Sequence, residues 1–529
     1  MNKSIVHMPA LPSSAAPDRY RGCGSFAVPF FPINARGQPE TVRLCTRKRD
    51  LTHNHHMAVS ANLPSDQNER PRGQTMKTFL LALAVAVLAL FLVPWTPAYA
   101  QTQPAPSSTQ PQAAVAGTPT AIPAAPPQAT TKITSYTLPP DLYQKAHRRN
   151  RIHFRLELIG VVYGIVVLWL ILRWKLSAKY RDWSERVSSN RFLQAVVYSP
   201  LLLLTMATLT LPLDIYGESV EKQYGISVQG WGSWSWDWVK GQLILYVIGI
   251  ILIWLLYLVI RRSARRWWFY FWLLSLPIMV FLIFLQPLVI DPMFHKFEPL
   301  QQKDPALTAS LEQMVQRAGK DIPPERMFWM GAGEKTTSLN AYVTGVGSSK
   351  RIVVWDNTIA KMNTPQIFYV TGHEMGHYVL NHIPKGLAFF AVLLFIAFYL
   401  GHRTVGWFLA RWGGGWGIRG LEDWASLPVL LLLLSVFSFV VNPVASAFSR
   451  ALEHQADQYG LEVTHGLTPD SGQVGAQAFQ ILGVVGLSDP DPNPVNVFLF
   501  YDHPPITDRV QFCLTYDPWA NGGHGEFVE

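Results

Sequence analysis

Apolar runs alternate with polar stretches along most of this chain, and the runs divide it into parts. Six stand out after residue 140, near 156–172, 195–213, 243–260, 267–290, 387–401 and 427–441. About 20 apolar residues suffice to carry a helix across the hydrocarbon core of a bilayer. The first four runs meet or approach that length. The fifth and sixth are short, so they are expected either as buried or re-entrant segments or as spans flanking a functional helix. Between the fourth and fifth lies the largest polar segment, 291–386. There Asp304 is placed to cap a helix running to about Ala318, with Leu307, Leu311, Met314 and Val315 on one stripe. Met327–Trp329 and Arg351–Trp355 read as short strands, the second leading through a short helix toward Gly372. The pattern predicts a mainly α, polytopic membrane protein. A four-span region, 141–290, precedes a domain, 291–529, that carries a small β-sheet and the last two runs.

The start of the chain differs in kind. Residues 1–75 mix charges with Pro, Asn and Ser without periodicity and read as disordered. Met76 and Lys77 then open an apolar stretch from Phe79 to Val93, which ends in small residues at Ala98 and Ala100. A basic start, an apolar run too short to span comfortably and an A-x-A end make a secretory signal peptide over 76–100. Translation is therefore expected to begin at Met76, the rival being a cytoplasmic tail before an uncleaved anchor. Residues 101–140, rich in Pro, Ala, Gln and Thr, read as a flexible linker.

Composition agrees with the membrane reading, at 49% hydrophobic and 15% charged residues. The net charge of +9 is no sign of nucleic acid. Much of the Lys and Arg sits beside apolar runs, where it sets topology, so membrane lipid is the expected contact. Cys23, Cys45 and Cys513 cannot build a disulfide framework or a thiolate metal site. Trp231, Trp234, Trp236 and Trp238 read as an interfacial aromatic belt.

The candidate chemistry lies in Thr371–His382, TGHEMGHYVLNH, with His-Glu-x-x-His at His373, Glu374 and His377. On a helix, residues four apart differ by about 40° around the axis, so both imidazoles face one metal ion. Glu374 projects about 100° away and can reach an attacking water without being a ligand. A hydrolytic zinc site needs a third protein ligand. Glu453 is the best candidate, because Asp457 follows one turn later and can accept a hydrogen bond from a liganding histidine. His454 is the alternative, although it points away from Glu453 and has no such support.

Further motifs extend the pattern: ESVEKQYGIS from Glu218, IDPMFHKFEPL from Ile290, LNAYVTGVGSSKRIVVWD from Leu339, SRALEHQAD from Ser449 and DHPPITDRVQF from Asp502. With GHEMGHYVLNH they make the chain, from about Phe192 to Phe512, resemble the integral-membrane zinc endopeptidases typified by CAAX prenyl protease 1, with HtpX-type membrane proteases as relatives. The resemblance implies a gluzincin-like zinc protease domain holding one zinc per chain through His373, His377 and Glu453. It implies Glu374 as catalytic base and Asp457 as the partner of a liganding histidine. It further implies that His503 donates to the oxyanion, that Arg509 steadies the substrate or a carboxylate, and that Asn340, Ala341 and Tyr342 form an edge for a substrate peptide. Seven spans are usual in that family, and the missing one falls between the first two here.

Topology and substrate follow less directly. A cleaved signal leaves the mature N-terminus outside a bacterial inner membrane. Arg173, Lys175, Lys179, Arg181, Arg186 and Arg191 then lie inside, as does RRSARR at Arg261–Arg266, and the zinc segment falls on the outer, periplasmic side. The resemblance implies the opposite, a chamber open to the cytoplasm and prenylated CAAX peptides as substrates. Quality-control cleavage of membrane or exported proteins is the alternative. A non-catalytic scaffold is a further one, disfavoured because a scaffold has no need of Glu374.

Overall fold

The computed structural model of the protein describes residues 132–345, 349–520 and 522–528. The expected disordered stretch, the signal peptide and most of the linker lie outside the described residues. Six described helices are long and apolar enough to cross a membrane: Pro140–Arg173 (α1), Arg191–Gln223 (α3), Trp231–Arg262 (α4), Trp267–Phe294, His382–Trp416 and Trp424–Thr464. Between the first two lies Leu176–Val187 (α2), a helix of 12 residues. At 1.5 Å per residue it covers about 18 Å, well short of a bilayer. It therefore occupies the place of the missing span without replacing it.

Of the two alternatives for the fifth and sixth runs, the structure takes the second: both belong to long helices able to cross a membrane and flanking the site. His382–Phe408 (α8) has 27 residues and Leu427–Thr464 (α9) has 38. The apolar pattern stops at His402 and Asn442, yet the backbone hydrogen-bond ladder carries on past them. The expected linker is corrected at its end. Ile133 exchanges hydrogen bonds with the side chain of Gln473, at 2.9 Å each way. Tyr136 is buried and its hydroxyl donates to the Ser488 carbonyl at 2.9 Å. These two apolar residues gain a core to pack on, which the composition of residues 101–140 conceals.

At one end of the bundle the turns 174–190 and 417–426 are tied together. Arg181 and Asp423, both buried, form an ion pair. Asp423 also accepts the backbone N–H groups of Arg419 and Ala425, at 2.9 and 3.1 Å. The buried Trp424 donates to Gln194 at 3.0 Å. Trp231 and Trp236 stand exposed in the first turns of α4, as a belt requires.

The other end carries the polar domain. Its sheet has the order β1-β2-β4-β3, with β1 Lys296–Pro299, β2 Met327–Gly331, β3 Ala341–Thr344 and β4 Arg351–Trp355. The central β2 and β4 are parallel and both outer pairs are antiparallel, so β3 is an edge. Helix Pro305–Arg317 (α6) begins where expected, with Asp304 accepting from Leu307 N at 2.9 Å. Its stripe of Leu307, Leu311, Met314 and Val315 packs into one core with Ile352 and Val354 of β4. Helices Ser471–Val485 (α10), Pro494–Phe500 (α11) and Ile506–Thr515 (α12) complete the domain. Pro443 lies inside α9, and side chains on both sides of it brace α11. Asn442 donates to the Leu499 carbonyl at 2.6 Å and Arg450 to the Val497 carbonyl at 3.1 Å.

The His-Glu-x-x-His stretch lies on Thr364–Val379 (α7), started by a capping box between Asn363 and Gln366. This helix lies almost backbone to backbone on α9. A Cβ on Gly376 would stand 3.0 Å from the Tyr459 Cβ and 3.2 Å from the Ala456 Cα, and one on Gly460 would stand 3.1 Å from His373 N. Helices approach this closely only where side chains are absent. Gly376→Ala should therefore force α7 and α9 apart and cost about 1–3 kcal/mol, read as a lower melting temperature of the purified protein in detergent. An unchanged melting temperature would mean that the pair parts without cost.

Candidate metal centre

Helix α7 presents His373 and His377 one turn apart, and α9 presents Glu453 against them. One ligand atom from each lies within 4.8 Å of the others. The two Nε2 atoms are 3.2 Å apart. Glu453 Oε2 stands 3.3 Å from His373 Nε2, and its Oε1 stands 3.3 Å from His377 Nε2. A tetrahedral centre with bonds of about 2.0–2.1 Å sets its ligand atoms about 3.3 Å apart, so the two imidazole nitrogens, each with one oxygen of the Glu453 carboxylate at that distance, fit around one metal ion. The buried Glu453 Oε2 has no hydrogen-bond partner. A buried carboxylate oxygen left in this state is costly unless a cation meets it.

The outward nitrogen of His373 is held in turn. Its Nδ1 lies 2.8 Å from Asp457 Oδ1. Arg509 forks onto the same carboxylate, Nε to Oδ2 at 2.9 Å and Nη2 to Oδ1 at 2.6 Å. Arg509 is 8% exposed. Of its two expected roles the geometry supports steadying a carboxylate, and the residue also lines the cavity beside His373. His454 instead stands exposed with its ring 4.3 Å from that of Phe512, on a different face of α9 from Glu453.

A cavity of about 480 Å³ opens beside this group, lined by Asn340, His373, Glu374, Tyr501, His503 and Arg149, among others. Burial pushes the Glu374 carboxyl above the usual carboxylate range, while His373 and His377 pull against it. His503 is 53% exposed on its side chain, with Nε2 3.3 Å from Glu453 Oε2 and Nδ1 2.8 Å from Asp502. The hydrogen bond from His503 holds the Asp502 carboxyl below its ordinary range, with burial opposing.

The expected substrate edge is on β3, but its three residues are not equivalent. Asn340 uses its carbonyl for Trp355 N at 3.1 Å and its N–H for Thr358 Oγ1 at 2.8 Å. In an antiparallel pair inward and outward backbone groups alternate. Ala341 and Val343 therefore present main-chain groups outward, whereas Asn340 and Tyr342 turn theirs inward. Three neighbours of the site were missed in the sequence: His382 beside His377, Gln455 beside His382, and Asp502 beside His503. Asp502 has a signal in its adjacency to His503. His382 has a weaker one, because Asn381 before it can end a helix in the left-handed region.

Residues 301–516 match Peptidase family M48, and residues 124–296 match the CAAX prenyl protease N-terminal family, described as five membrane helices. In the described part of that second stretch four helices are long enough to cross and α2 is not. The chain is 40% identical over 358 residues to the "Uncharacterized metalloprotease YhfN" of Bacillus subtilis, covering 67% of this chain and 81% of that one. It is 24% identical over 417 residues to CAAX prenyl protease 1 of Saccharomyces cerevisiae, covering 72% and 89%. The fold matches the crystal structure of S. mikatae Ste24p with a TM-score of 0.61 at 22% identity, over 71% of this chain and 89% of that chain. With two apolar helices leading out of and back into the domain that holds the His-His-Glu group, the chain belongs to Peptidase family M48 and is a membrane-embedded metalloprotease.

Proposed function

We propose that the protein is a zinc endopeptidase in which His373, His377 and Glu453 hold one zinc ion per chain. The observation that carries this is the set of 3.2 and 3.3 Å separations among the two imidazole nitrogens and the two oxygens of Glu453, beside a cavity that also receives Glu374. When bound, zinc supplies a Lewis acid that polarises the scissile carbonyl and acidifies a water. Glu374 takes the proton of the attacking water and passes it to the leaving amine. His503 donates from Nε2 to the carbonyl oxygen as it gains negative charge, with Asp502 holding the ring from behind. Asp457 orients His373, and Arg509 offsets the charge of Asp457. An extended peptide adds to the edge of β3 through the main chain of Ala341 and Val343.

The substrate follows from orientation. The turns rich in Arg and Lys gather at the end of the bundle away from the sheet: Arg181 donates to Gly417 O at 3.0 Å, Arg419 pairs with Glu185 at 2.8 Å, and Arg261 donates to Glu422 O at 3.2 Å. Lys145, Arg148, Arg149, Arg151 and Arg155 at the other end are fewer, and Arg149 is paired with Glu221. The positive-inside rule then favours a cavity facing the periplasm of a bacterial inner membrane, with segments of membrane or exported proteins as substrates. Prenylated CAAX peptides are the second reading, favoured by the name of the yeast relative.

Two experiments test this. Glu374→Ala should keep one zinc per chain and lose proteolysis, whereas His373→Ala and Glu453→Ala should lose both. Zinc content unchanged in Glu453→Ala would remove it as a ligand. For orientation, a single cysteine at Ser348, which lies outside the described residues, is treated on intact cells with an impermeant maleimide after the native cysteines are removed. Labelling of intact cells is expected. Labelling only after lysis, with an outer-side control position labelled beforehand, would turn the cavity to the cytoplasm and restore the prenyl-peptide reading.

A further inference from the structure

Asp457 holds the outward nitrogen of His373, but no carboxylate does so for His377. Its Nδ1 lies instead 3.0 Å from Nδ1 of His382, and His382 Nε2 lies 3.1 Å from Gln455 Oε1. His382 is 4% exposed. Resting on the zinc reading above, we propose that His382, itself locked by Gln455, is a positioning residue that fixes the tautomer of His377 and turns its Nε2 lone pair to the metal.

The polarity follows from counting protons. An amide oxygen only accepts, so His382 carries its hydrogen on Nε2. A buried imidazole between two neutral partners stays neutral, because nothing there offsets a second proton's charge. Nδ1 of His382 is then a lone pair, and it accepts from Nδ1–H of His377. That leaves Nε2 of His377 unprotonated, facing His373 and Glu453. The opposite polarity would put a hydrogen on His377 Nε2 and close the site to a cation.

Local backbone makes the contact. On an unbroken helix His382, five residues after His377, would sit about 140° around the axis from it. Asn381 takes the left-handed conformation, φ 58°, which ends α7 and starts α8 at His382. The chain thus turns between Val379 and His382 and brings a ring to the side of His377. Within five residues α9 supplies Glu453 as a ligand, Gln455 for this relay and Asp457 for the other histidine.

The test measures zinc affinity of the full-length protein in detergent by competition with a chromophoric chelator. His382→Phe keeps the ring and removes the acceptor, so zinc should bind about 10–100-fold more weakly. His382→Asn puts an amide oxygen where Nδ1 stood and should recover most of the loss, which a space-filling role for the ring does not predict. Gln455→Leu removes the acceptor that fixes the His382 ring and should lower the affinity as well. Wild-type affinity in His382→Phe, alongside its loss in His377→Ala, overturns this proposal alone. Retention of zinc by His377→Ala overturns the zinc reading itself. Should His382→Phe aggregate, Gln455→Leu decides, and wild-type affinity in that variant overturns the relay.

Discussion

The close approach of α7 and α9 is the constraint on which the rest depends. Glycines at 372, 376 and 460 and the alanine at 456 leave the two backbones in near contact. Only at that separation can a short carboxylate on one helix reach a histidine on the other, as Asp457 reaches His373 at 2.8 Å. A side chain between the helices would move them apart by an ångström or more, about the margin that separates a bound metal from an empty group of polar residues. The glycines and the ligands alternate along the same few turns. Packing and chemistry are therefore encoded in one stretch of sequence on each helix.

Charge explains the partners that the ligands keep. Glu453 and Asp457 bring two negative charges into a poorly hydrated space, and Arg509 brings one positive charge. A bound cation would offset the charge that remains. Burying the Arg509–Asp457 pair is costly taken alone, and breaking it would cost more, because one buried charge would remain uncompensated. Arg509 is thus best understood as part of the electrostatic floor of the site.

Elements whose cause is local were legible in the sequence. The Asp304 cap, the stripe of α6, the strands β2 and β4 and the His-Glu-x-x-His helix each follow from a few adjacent residues. The placement of Glu453 and Asp457 against His373 was legible because the two carboxylates lie one turn apart on one face of a helix. The continuity of α9 was not, since a polar residue at Asn442 ends an apolar run without ending a helix. Strand β1, KFEP, has no alternation and owes its state to pairing with β2. The partner of Arg509 lies 52 positions away, and His382 meets His377 through the left-handed turn at Asn381. The first contact belongs to tertiary geometry and the second to one backbone dihedral, and periodicity records neither.

The bracing of α11 across Pro443 has a mechanical consequence. Pro443 cannot donate to the carbonyl of Phe439, so α9 has a joint between its lipid-facing half and its ligand-bearing half. Asn442 and Arg450 grip α11 on either side of that joint, and α11 runs directly into Tyr501, Asp502 and His503. The arrangement works as a splint. A tilt of the membrane half cannot bend the joint without dragging α11, and with it the loop that carries His503. The loop that carries His503 is in this way tied to both halves of α9 and not to one alone.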